Sequence, residues 1–241
     1  MLTSSAPIFH VTHWKAGSQW VHDVLNAAAP GRVVRPTGDV SFFAKHRVSD
    51  GEIYSPLYDA YDRFRAAVSA DRPQRTFAVI RDARDTAVSW YFSLRYSHTT
   101  RDQAVKEPRE VLSRLSKDDG LAMIIASHLR TAVWIQQTWL ESGVKVFRYE
   151  DFRQRQYETF DELFDYCAIH LPERKRRRII DKNSFERKTW WRFGFESWRS
   201  HLRKGQAGDW KNHFNERHKQ LFKSHYGDIL VRAGYETDNN W

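Results

Sequence analysis

The chain has 241 residues, long enough for one large α/β domain or two smaller ones, and either could bury a sizeable core. Its apolar fraction of 41%, with 15% aromatic residues, argues against a disordered chain. The formal net charge of +9 predicts an anionic partner, a description that fits nucleic acid, an acidic membrane surface and a phosphorylated or sulfated small molecule equally well.

Cysteine usage and hydropathy narrow the class of protein further. Cys167 is the single cysteine, which excludes an intrachain disulfide and a cysteine-based metal site. It lies in the apolar pattern FDELFDYCAI, so we expect a buried core thiol. The chain contains no apolar run of the ~20 residues that a membrane helix needs, and its N-terminus lacks the pattern of a secretory signal. We therefore expect a cytoplasmic protein without a membrane span.

The predicted elements alternate along the chain. Apolar runs and helical spacing predict, in order, a strand at 8–13, a helix at 18–28, short strands at 32–34 and 51–56, a helix at 57–69, a buried strand at 75–82 and a helix at 83–97. Helices at 108–115 and 120–141, a strand at 144–149 and helices at 153–170 and 173–182 follow, with a final helix from about residue 213. This alternation predicts an α/β fold, with a central parallel sheet flanked by helices, in one domain.

The stretch HWKAGSQW, from His13, connects the first predicted strand to the first predicted helix. A helix N-terminus offers unpaired backbone N–H groups and partial positive charge. Lys15 adds a full charge, Gly17 allows close approach of a ligand, and Ser18 can cap the helix or donate to an oxygen. The loop suits a phosphate-like group, although its lysine precedes its glycine, unlike in a Walker A loop. Taken alone, a surface turn that carries a lysine explains it equally well.

Two further stretches carry residues that suit an anion. In VIRDARDTAVSWYF, Arg81 ends a buried strand and Ser89 lies two helical turns later, at the sheet edge where doubly wound folds bind ligands. In HLRKGQAGDWKNHF, Arg203, Lys204 and Gly205 combine two charges with a flexible backbone. The structural alternatives are an arginine paired with a neighbouring carboxylate and a solvated basic turn.

Together the three stretches resemble the motifs of the cytosolic sulfotransferase family, whose donor is 3′-phosphoadenosine 5′-phosphosulfate (PAPS) and whose product is adenosine 3′,5′-bisphosphate (PAP). HWKAGSQW resembles the family's phosphosulfate loop, Y-P-K-S-G-T-T-W, RDARDTAVS its 3′-phosphate motif, and RKGQAGDWKNHF its C-terminal block, R-K-G-x-x-G-D-W-K-N. The weaker matches FRYEDF and NSF fall in the family's order, and the matches run from about residue 10 to 214. The resemblance implies a P-loop-like nucleotide-binding fold in a single sulfotransferase domain over residues 1–241, in a shortened, bacterial-type member.

The resemblance implies transfer of a sulfuryl group from PAPS to a hydroxyl or amine, without a metal. Lys15 would contact the bridging and 5′-phosphosulfate oxygens. The backbone N–H groups of Ala16, Gly17, Ser18 and Gln19, and the Ser18 hydroxyl, would assist it. The family has two threonines where this chain has Ser18 and Gln19, so an amide replaces one hydroxyl.

The resemblance also implies how the rest of the donor is held. Trp20 and Phe185 would sandwich the adenine, with Tyr149 nearby, and Ser184 matches a family serine near the donor sulfate. The residues implied to hold the 3′-phosphate are Arg81, Ser89, Arg203, Lys204 and Gly205.

The general base is where this chain departs most from the family. The family base is a histidine in a K-T-H segment, and the comparable stretch here, GEIYSP, has none. Glu52 and His46 are our candidates, with Tyr54 and His98 behind them, since burial can raise the pKa of a carboxylate base. Each of these residues is also compatible with a structural role.

The sequence leaves several alternatives open. A small-molecule or nucleotide kinase and a non-catalytic binder of nucleotide or nucleic acid remain competing functions. Aromatic residues in 40–58 and 96–120 suggest a small apolar or aromatic acceptor, and we expect no nucleic-acid partner. The family's dimerisation motif, K-x-x-x-T-V-x-x-x-E, is missing, so the oligomeric state stays open.

Overall fold

The computed structural model describes residues 6–37, 39–69, 71–97, 103–184 and 205–241. The chain divides into two compact units. The first unit comprises Met1–Arg81 and Trp134–Lys188, and the second comprises Asp82–Val133 and Thr189–Trp241. None of the helices in the described ranges is long and apolar enough to cross a membrane.

The first unit contains a five-stranded sheet in the order β2-β3-β1-β4-β5, with every neighbouring pair parallel. Its strands are β1 (Ile8–Thr12), β2 (Val33–Val34), β3 (Ile53–Leu57), β4 (Arg75–Ile80) and β5 (Lys145–Arg148). The chain leaves β1 toward β2 on one side of the sheet and leaves β4 toward β5 on the other side. The topological switch point, where doubly wound sheets bind ligands, therefore lies at the carboxyl ends of β1 and β4.

The described ranges contain α-helices in both units. They are α1 (Ser18–Ala28), α2 (Tyr61–Ala67), α3 (Ala83–Phe92), α4 (Gln103–Arg114), α5 (Lys117–Ala126), α6 (Leu129–Glu141), α7 (Tyr149–Gln154), α8 (Gln156–Tyr166), α9 (Glu173–Lys182), α10 (Glu216–Tyr226) and α11 (Ile229–Arg232). Short 3₁₀ helices span Val40–Ala44 and Asp209–Asn212, and a π-helical turn spans Ser93–Ser97.

Both faces of the sheet are buried within the first unit, because every residue of β1 and β3 is buried. Side chains alternate along a strand, so Ile8 and Phe9 point to opposite faces. Ile8 belongs to a core cluster with residues of α1, α7, α8 and α9, whereas Phe9 belongs to one with Phe64 of α2 and Trp139 of α6. The predicted parallel sheet flanked by helices is confirmed.

Cys167 follows α8 and is 1% exposed, as predicted for a core thiol. Burial raises the pKa of this thiol to about 12. The thiolate is the reactive form of cysteine, so this thiol is chemically inert near neutral pH.

Helix ends differ from the sequence prediction where side chains bond to the backbone. The helix predicted for 120–141 is two helices, α5 and α6, with a break at Ser127, whose hydroxyl donates to the Met123 carbonyl at 2.6 Å. The helix at 108–115 begins five residues earlier, at Gln103, so Pro108 lies inside α4 at the cost of one backbone hydrogen bond. The helix predicted for 153–170 is shorter, and the helix predicted from about residue 213 is α10, which begins at Glu216 and is followed by the short α11.

In the second unit, the C-terminal residues pack against the start of α3. The Arg84 guanidinium lies 3.9 Å from the ring centre of Trp210 and 4.5 Å from that of Trp241. It also pairs with the Asp82 carboxylate at 2.7 Å, and Arg84 is only 2% exposed. This buried, stacked guanidinium ties the last residue of the chain to α3.

Candidate active site

The carboxyl edge of the sheet collects residues from all five strands. Because the strands are parallel, the residues that follow them meet at one edge. In order across the sheet these residues are Arg35 after β2, Tyr58 after β3, Trp14 and Lys15 after β1, Arg81 after β4 and Tyr149 after β5. All of them belong to the first unit.

The backbone of the loop after β1 has the form of an anion site. Lys15 has a φ of 70° and Gly17 a φ of 83°, whereas Ala16 between them does not have a positive φ. Such alternation turns successive N–H groups toward one side and forms a concave nest for an anion. The left-handed conformation costs a non-glycine residue such as Lys15 about 1–2 kcal/mol. Gly17 is also the N-cap of α1 and contributes no side-chain cap, so a ligand can take the N–H groups of the first turn.

Gly17 is required by space as well as by its backbone conformation. A Cβ atom at this position would lie 2.6 Å from Cδ2 of Tyr149, well inside van der Waals contact. Tyr149 is 4% exposed and belongs to the core, so its ring cannot easily retreat. The loop therefore lies directly against the residue that follows β5.

Arg81 links the loop to the end of β4. Its Nη1 donates to the Lys15 carbonyl at 3.0 Å, and its guanidinium lies 4.5 Å from the Tyr149 ring centre. Arg81 is 8% exposed, and its buried Nε has no hydrogen-bond partner among the described residues. A buried guanidinium N–H without an acceptor is costly, so this atom is a candidate donor to a bound anion.

Lys15 is half-buried beside Arg81. Burial, and then the positive charge of Arg81, lowers the pKa of Lys15 to about 8. The charge of an anion at this position would oppose both effects and favour the charged amine.

Four polar side chains at this edge form a chain of hydrogen bonds. Arg35 donates to Oε1 of Gln19 at 2.9 Å, and Nε2 of Gln19 donates to the Tyr58 hydroxyl at 3.2 Å. The Tyr58 hydroxyl donates to Oγ of Ser18 at 2.8 Å. The Tyr58 ring stacks on Trp14, with ring centres 5.4 Å apart and an interplanar angle of 2°. Gln19, at a position where the family has a threonine, therefore bonds to Arg35 through its amide oxygen and to Tyr58 through its amide nitrogen.

The sequence analysis included Tyr58 only among the aromatic residues of a predicted acceptor site, although a more specific signal for it exists. It is the first residue after β3, and a residue in that position of a parallel strand faces the ligand-binding edge. His13 lies at the same edge but is 1% exposed, and its ring nitrogens lie within 3.0 Å of the Trp14 carbonyl and the Gln136 side chain. Burial lowers the pKa of His13 to about 4, which leaves it a neutral support for the loop.

The structure places Glu52 and His46 at the edge of the sheet opposite to Lys15. Glu52 precedes β3, and its carbonyl accepts from the Ile8 N–H at 2.9 Å, so it lies at the amino edge of the sheet. The five residues of β1, at ~3.3 Å each, separate that edge from the loop. His46 Nε2 lies 3.5 Å from the Glu52 carboxylate, which also accepts from the Tyr54 hydroxyl. The side chains of these three residues therefore contact one another near the amino edge.

Trp20 lies in the core of the first unit rather than on a surface. It is 6% exposed and packs edge-on against Tyr149, Phe152 and Phe160. Its indole N–H has no hydrogen-bond partner within the described ranges. Its predicted role beside the adenine stays a prediction.

The remaining candidates lie in the second unit or at the gap between described ranges. Ser89 lies in α3, Ser184 ends one described range and Gly205 begins the next. His98, Phe185, Arg203 and Lys204 lie outside the described residues.

The C-terminal motif is anchored by Asp85 within the second unit. One carboxylate oxygen of Asp85 accepts from the Gly208 N–H at 2.7 Å, and the other accepts from the Trp210 N–H at 2.8 Å. Asp85 is 2% exposed, so these charge-assisted bonds are shielded from water. They fix the backbone that follows Gly205.

Comparison with solved structures agrees with this architecture. Mouse sulfotransferase SULT7A1, solved in complex with PAP, superposes with a TM-score of 0.68 and 16% identity, over 97% of this chain and 88% of that chain. A retinol dehydratase in complex with retinol and PAP gives a TM-score of 0.58 and 13% identity, over 93% of this chain and 81% of that chain. At these identities the similarity shows a shared fold.

Sequence comparison adds the family. Bovine sulfotransferase 1A1 is 25% identical over 187 residues, a match that covers 71% of this chain and 59% of that protein. The match therefore spans less than two thirds of the relative's length. The family model for the sulfotransferase domain matches residues 6–234, nearly the whole chain. The resemblance noted from the motifs is confirmed, and the chain belongs to the sulfotransferase domain family.

Proposed function

We propose that this protein transfers a sulfuryl group from PAPS to a hydroxyl or amine of a small-molecule acceptor by in-line displacement. The observation that carries the proposal is the loop after β1. It combines alternating φ values, an uncapped helix N-terminus and Lys15 with the unpartnered buried Nε of Arg81. These features suit an anionic group at the topological switch point of the sheet.

The donor's 5′-phosphosulfate is assigned to this loop. The N–H groups of residues 16–19 would bind its oxygens, and the Lys15 amine would stabilise the charge that grows on the leaving phosphate. When bound, PAPS supplies a sulfuryl group attached to a good phosphate leaving group. Positioning and electrostatics then supply most of the catalysis, as in phosphoryl transfer.

The residues proposed to hold the 3′-phosphate and the adenine of PAPS are assigned mainly from the resemblance to the family motifs. From the motif resemblance we assign the 3′-phosphate to Arg81, Ser89, Arg203, Lys204 and Gly205. The adenine is assigned to Trp20, Phe185 and Tyr149, and the region of the donor sulfate to Ser184.

The acceptor, the domain organisation and the location are parts of the same proposal. Stacked Trp14 and Tyr58 beside Lys15 favour a small apolar or aromatic acceptor. The family match from residue 6 to 234 runs through both units, which supports a single sulfotransferase domain. The one buried thiol agrees with a cytoplasmic location.

Calorimetric titration with PAP, with ATP and AMP as comparison ligands, tests the proposal. We expect selective binding of PAP, and a loss of about 10- to 100-fold in affinity in Arg81→Ala, because a charge-assisted hydrogen bond contributes ~1.5–3 kcal/mol. Arg72→Ala is the matched control. It removes another arginine of the first unit, one that bonds to the Val48 carbonyl and pairs with Asp50 at 2.6 Å. Thermal melting establishes that both variants are folded.

The alternatives give different results in this titration. Equal binding of ATP and PAP would favour a kinase, and binding of oligonucleotides that falls steeply with salt would favour a nucleic-acid binder. Either result, or no binding of PAP by the wild-type protein, would contradict the proposal.

A further inference from the structure

Tyr58 and Ser18 lie where the reaction needs a proton to move. Ser18 is the first residue of α1 and Tyr58 the first after β3, and their hydroxyl oxygens are 2.8 Å apart. Both belong to the first unit, and both lie at the same edge as Lys15. Glu52, His46 and Tyr54, the base candidates within the described ranges, lie at the opposite edge, so the proton of the acceptor still needs a destination.

The first member of the chain fixes the orientation of the Gln19 amide. Arg35 can only donate, so the Gln19 atom facing it is the oxygen, and the amide nitrogen of Gln19 faces Tyr58. The Tyr58 oxygen therefore accepts from Gln19, and its single proton is directed to Ser18. The Ser18 oxygen accepts that proton, so its own proton is available for a group bound in the loop.

Each hydroxyl can form one further hydrogen bond. Tyr58 can accept one from the acceptor molecule, and Ser18 can donate one to a group bound in the loop. A phenol oxygen has two lone pairs, and Gln19 uses one of those on Tyr58. The second can accept a hydrogen bond from an acceptor hydroxyl. Trp14 holds the Tyr58 ring by parallel stacking at 5.4 Å, which fixes the direction of its C–O bond.

We propose that Tyr58 and Ser18 form a proton relay from the acceptor to the leaving phosphate, an inference that rests on the proposed function. As the acceptor oxygen bonds to sulfur and the bond from sulfur to the 5′-phosphate oxygen breaks, the acceptor proton passes to Tyr58. The phenolic proton of Tyr58 passes to Ser18, and the hydroxyl proton of Ser18 passes to the leaving phosphate oxygen. Each hydroxyl ends with one proton, and the phosphate gains the proton that the acceptor loses.

The relay removes the need for a residue with a raised or lowered pKa. Protons move along hydroxyls that remain neutral before and after the reaction, and Lys15 stabilises the phosphate oxygen that receives the last proton. Correctly positioned proton transfer contributes typically ~10²–10⁴-fold to a rate. The relay therefore explains how the chain can work without the family histidine.

Tyr58→Phe tests the relay, because phenylalanine keeps the stacked ring and removes the hydroxyl. We expect turnover to fall by about 100-fold or more, while the affinity for PAP stays within about threefold of wild type. Ser18→Ala should lose turnover to a similar extent, and the double variant should be no slower than the slower single variant, because either change breaks the same path. Tyr61→Phe is the matched control. The Tyr61 ring packs edge-on against Trp139 at 5.2 Å, outside the relay.

The dependence on acceptor acidity separates proton transfer from a structural role. Phenol, whose pKa resembles that of tyrosine at about 10, has a proton to transfer near neutral pH, whereas 4-nitrophenol is more acidic and ionises more readily. The relay predicts a larger penalty for Tyr58→Phe with phenol than with 4-nitrophenol, while a structural role predicts equal penalties. Hydrolysis of PAPS to PAP, in which water is the nucleophile, gives a third readout that does not depend on an added acceptor.

The outcomes distinguish the relay from the function on which it rests. Wild-type protein that fails to bind PAP contradicts the proposed function itself. Wild-type protein that binds PAP, with Tyr58→Phe within threefold of its turnover or with equal penalties for the two phenols, overturns the relay alone. Turnover of none of the three nucleophiles despite PAP binding also contradicts the relay.

Discussion

Replacement of Gly17 by alanine tests the close contact between the loop and the end of β5. A Cβ at this position would lie 2.6 Å from Cδ2 of Tyr149, in a backbone with a φ of 83°. The left-handed backbone alone costs about 1–2 kcal/mol, and overpacking of a tight contact adds about 1–3 kcal/mol. We therefore expect Gly17→Ala to lower the free energy of unfolding by about 2–5 kcal/mol, as the sum of these two effects.

Gly143→Ala is the matched control, because Gly143 has a φ of 75° and no atom within 4 Å of an added Cβ. It should show only the backbone cost, about 1–2 kcal/mol. Urea unfolding measures both variants, and PAP titration should detect a second effect. A displaced Tyr149 ring also displaces Arg81, whose guanidinium lies on it at 4.5 Å, so Gly17→Ala should lose affinity and Gly143→Ala should not.

Equal unfolding costs for the two glycine variants would refute this reasoning, since the contact with Tyr149 would then contribute nothing. A double variant adds a sharper check. When Tyr149→Ala removes the ring, the added cost of Gly17→Ala should fall to that of Gly143→Ala. An unchanged cost in that background would also contradict the steric account.

Three further predictions concern charge and position. The affinity for PAP should fall as the pH rises through about 8, where Lys15 loses its proton. Lys15→Met should bind PAP weakly and without that pH dependence. Calorimetric titration at several pH values measures both effects. Asp85→Ala should destabilise the protein by about 3 kcal/mol or more, because two buried charge-assisted bonds to the N–H groups of Gly208 and Trp210 are lost. It should also weaken PAP binding, and urea unfolding with titration checks both effects. Glu52→Gln should leave turnover unchanged, because Glu52 lies at the amino edge, and a 100-fold loss would restore it as a base.

The sequence is sufficient to place Lys15 and Arg81. Each follows an apolar run short enough to be a strand, and parallel strands bring their carboxyl ends to one edge. The motif resemblance then predicts that the loop after β1 binds an anion. What the sequence does not show is the contact between Gly17 and Tyr149, because the order of strands in the sheet determines which loops become neighbours.

The sequence alone does not show at which edge of the sheet a candidate base lies. Glu52 and His46 are candidates because both side chains can accept a proton and both lie in or near the stretch comparable to the family's K-T-H segment. Strand direction decides the matter, because residues before a parallel strand lie at the edge away from the ligand. Tyr58, which the sequence suggests only as an aromatic residue, follows β3 and therefore lies at the carboxyl edge.

Helix ends are hard to read because apolar periodicity persists across them. The apolar pattern continues through Ser127, yet its side chain bonds to the Met123 carbonyl and α5 ends at Ala126. Ser116 begins the same helix by accepting from the Asp119 N–H at 3.1 Å. Single side-chain bonds of this kind decide boundaries that spacing leaves open.

A crystal structure of the protein with PAP tests the central claim most directly, because it shows which edge of the sheet holds the nucleotide. The account predicts the 5′-phosphate against the N–H groups of residues 16–19, with Lys15 and the Ser18 hydroxyl on its oxygens. It also predicts that the Arg81 Nε donates to a phosphate oxygen. A nucleotide bound beside Glu52 at the amino edge, or bound with the loop after β1 empty, would contradict the account.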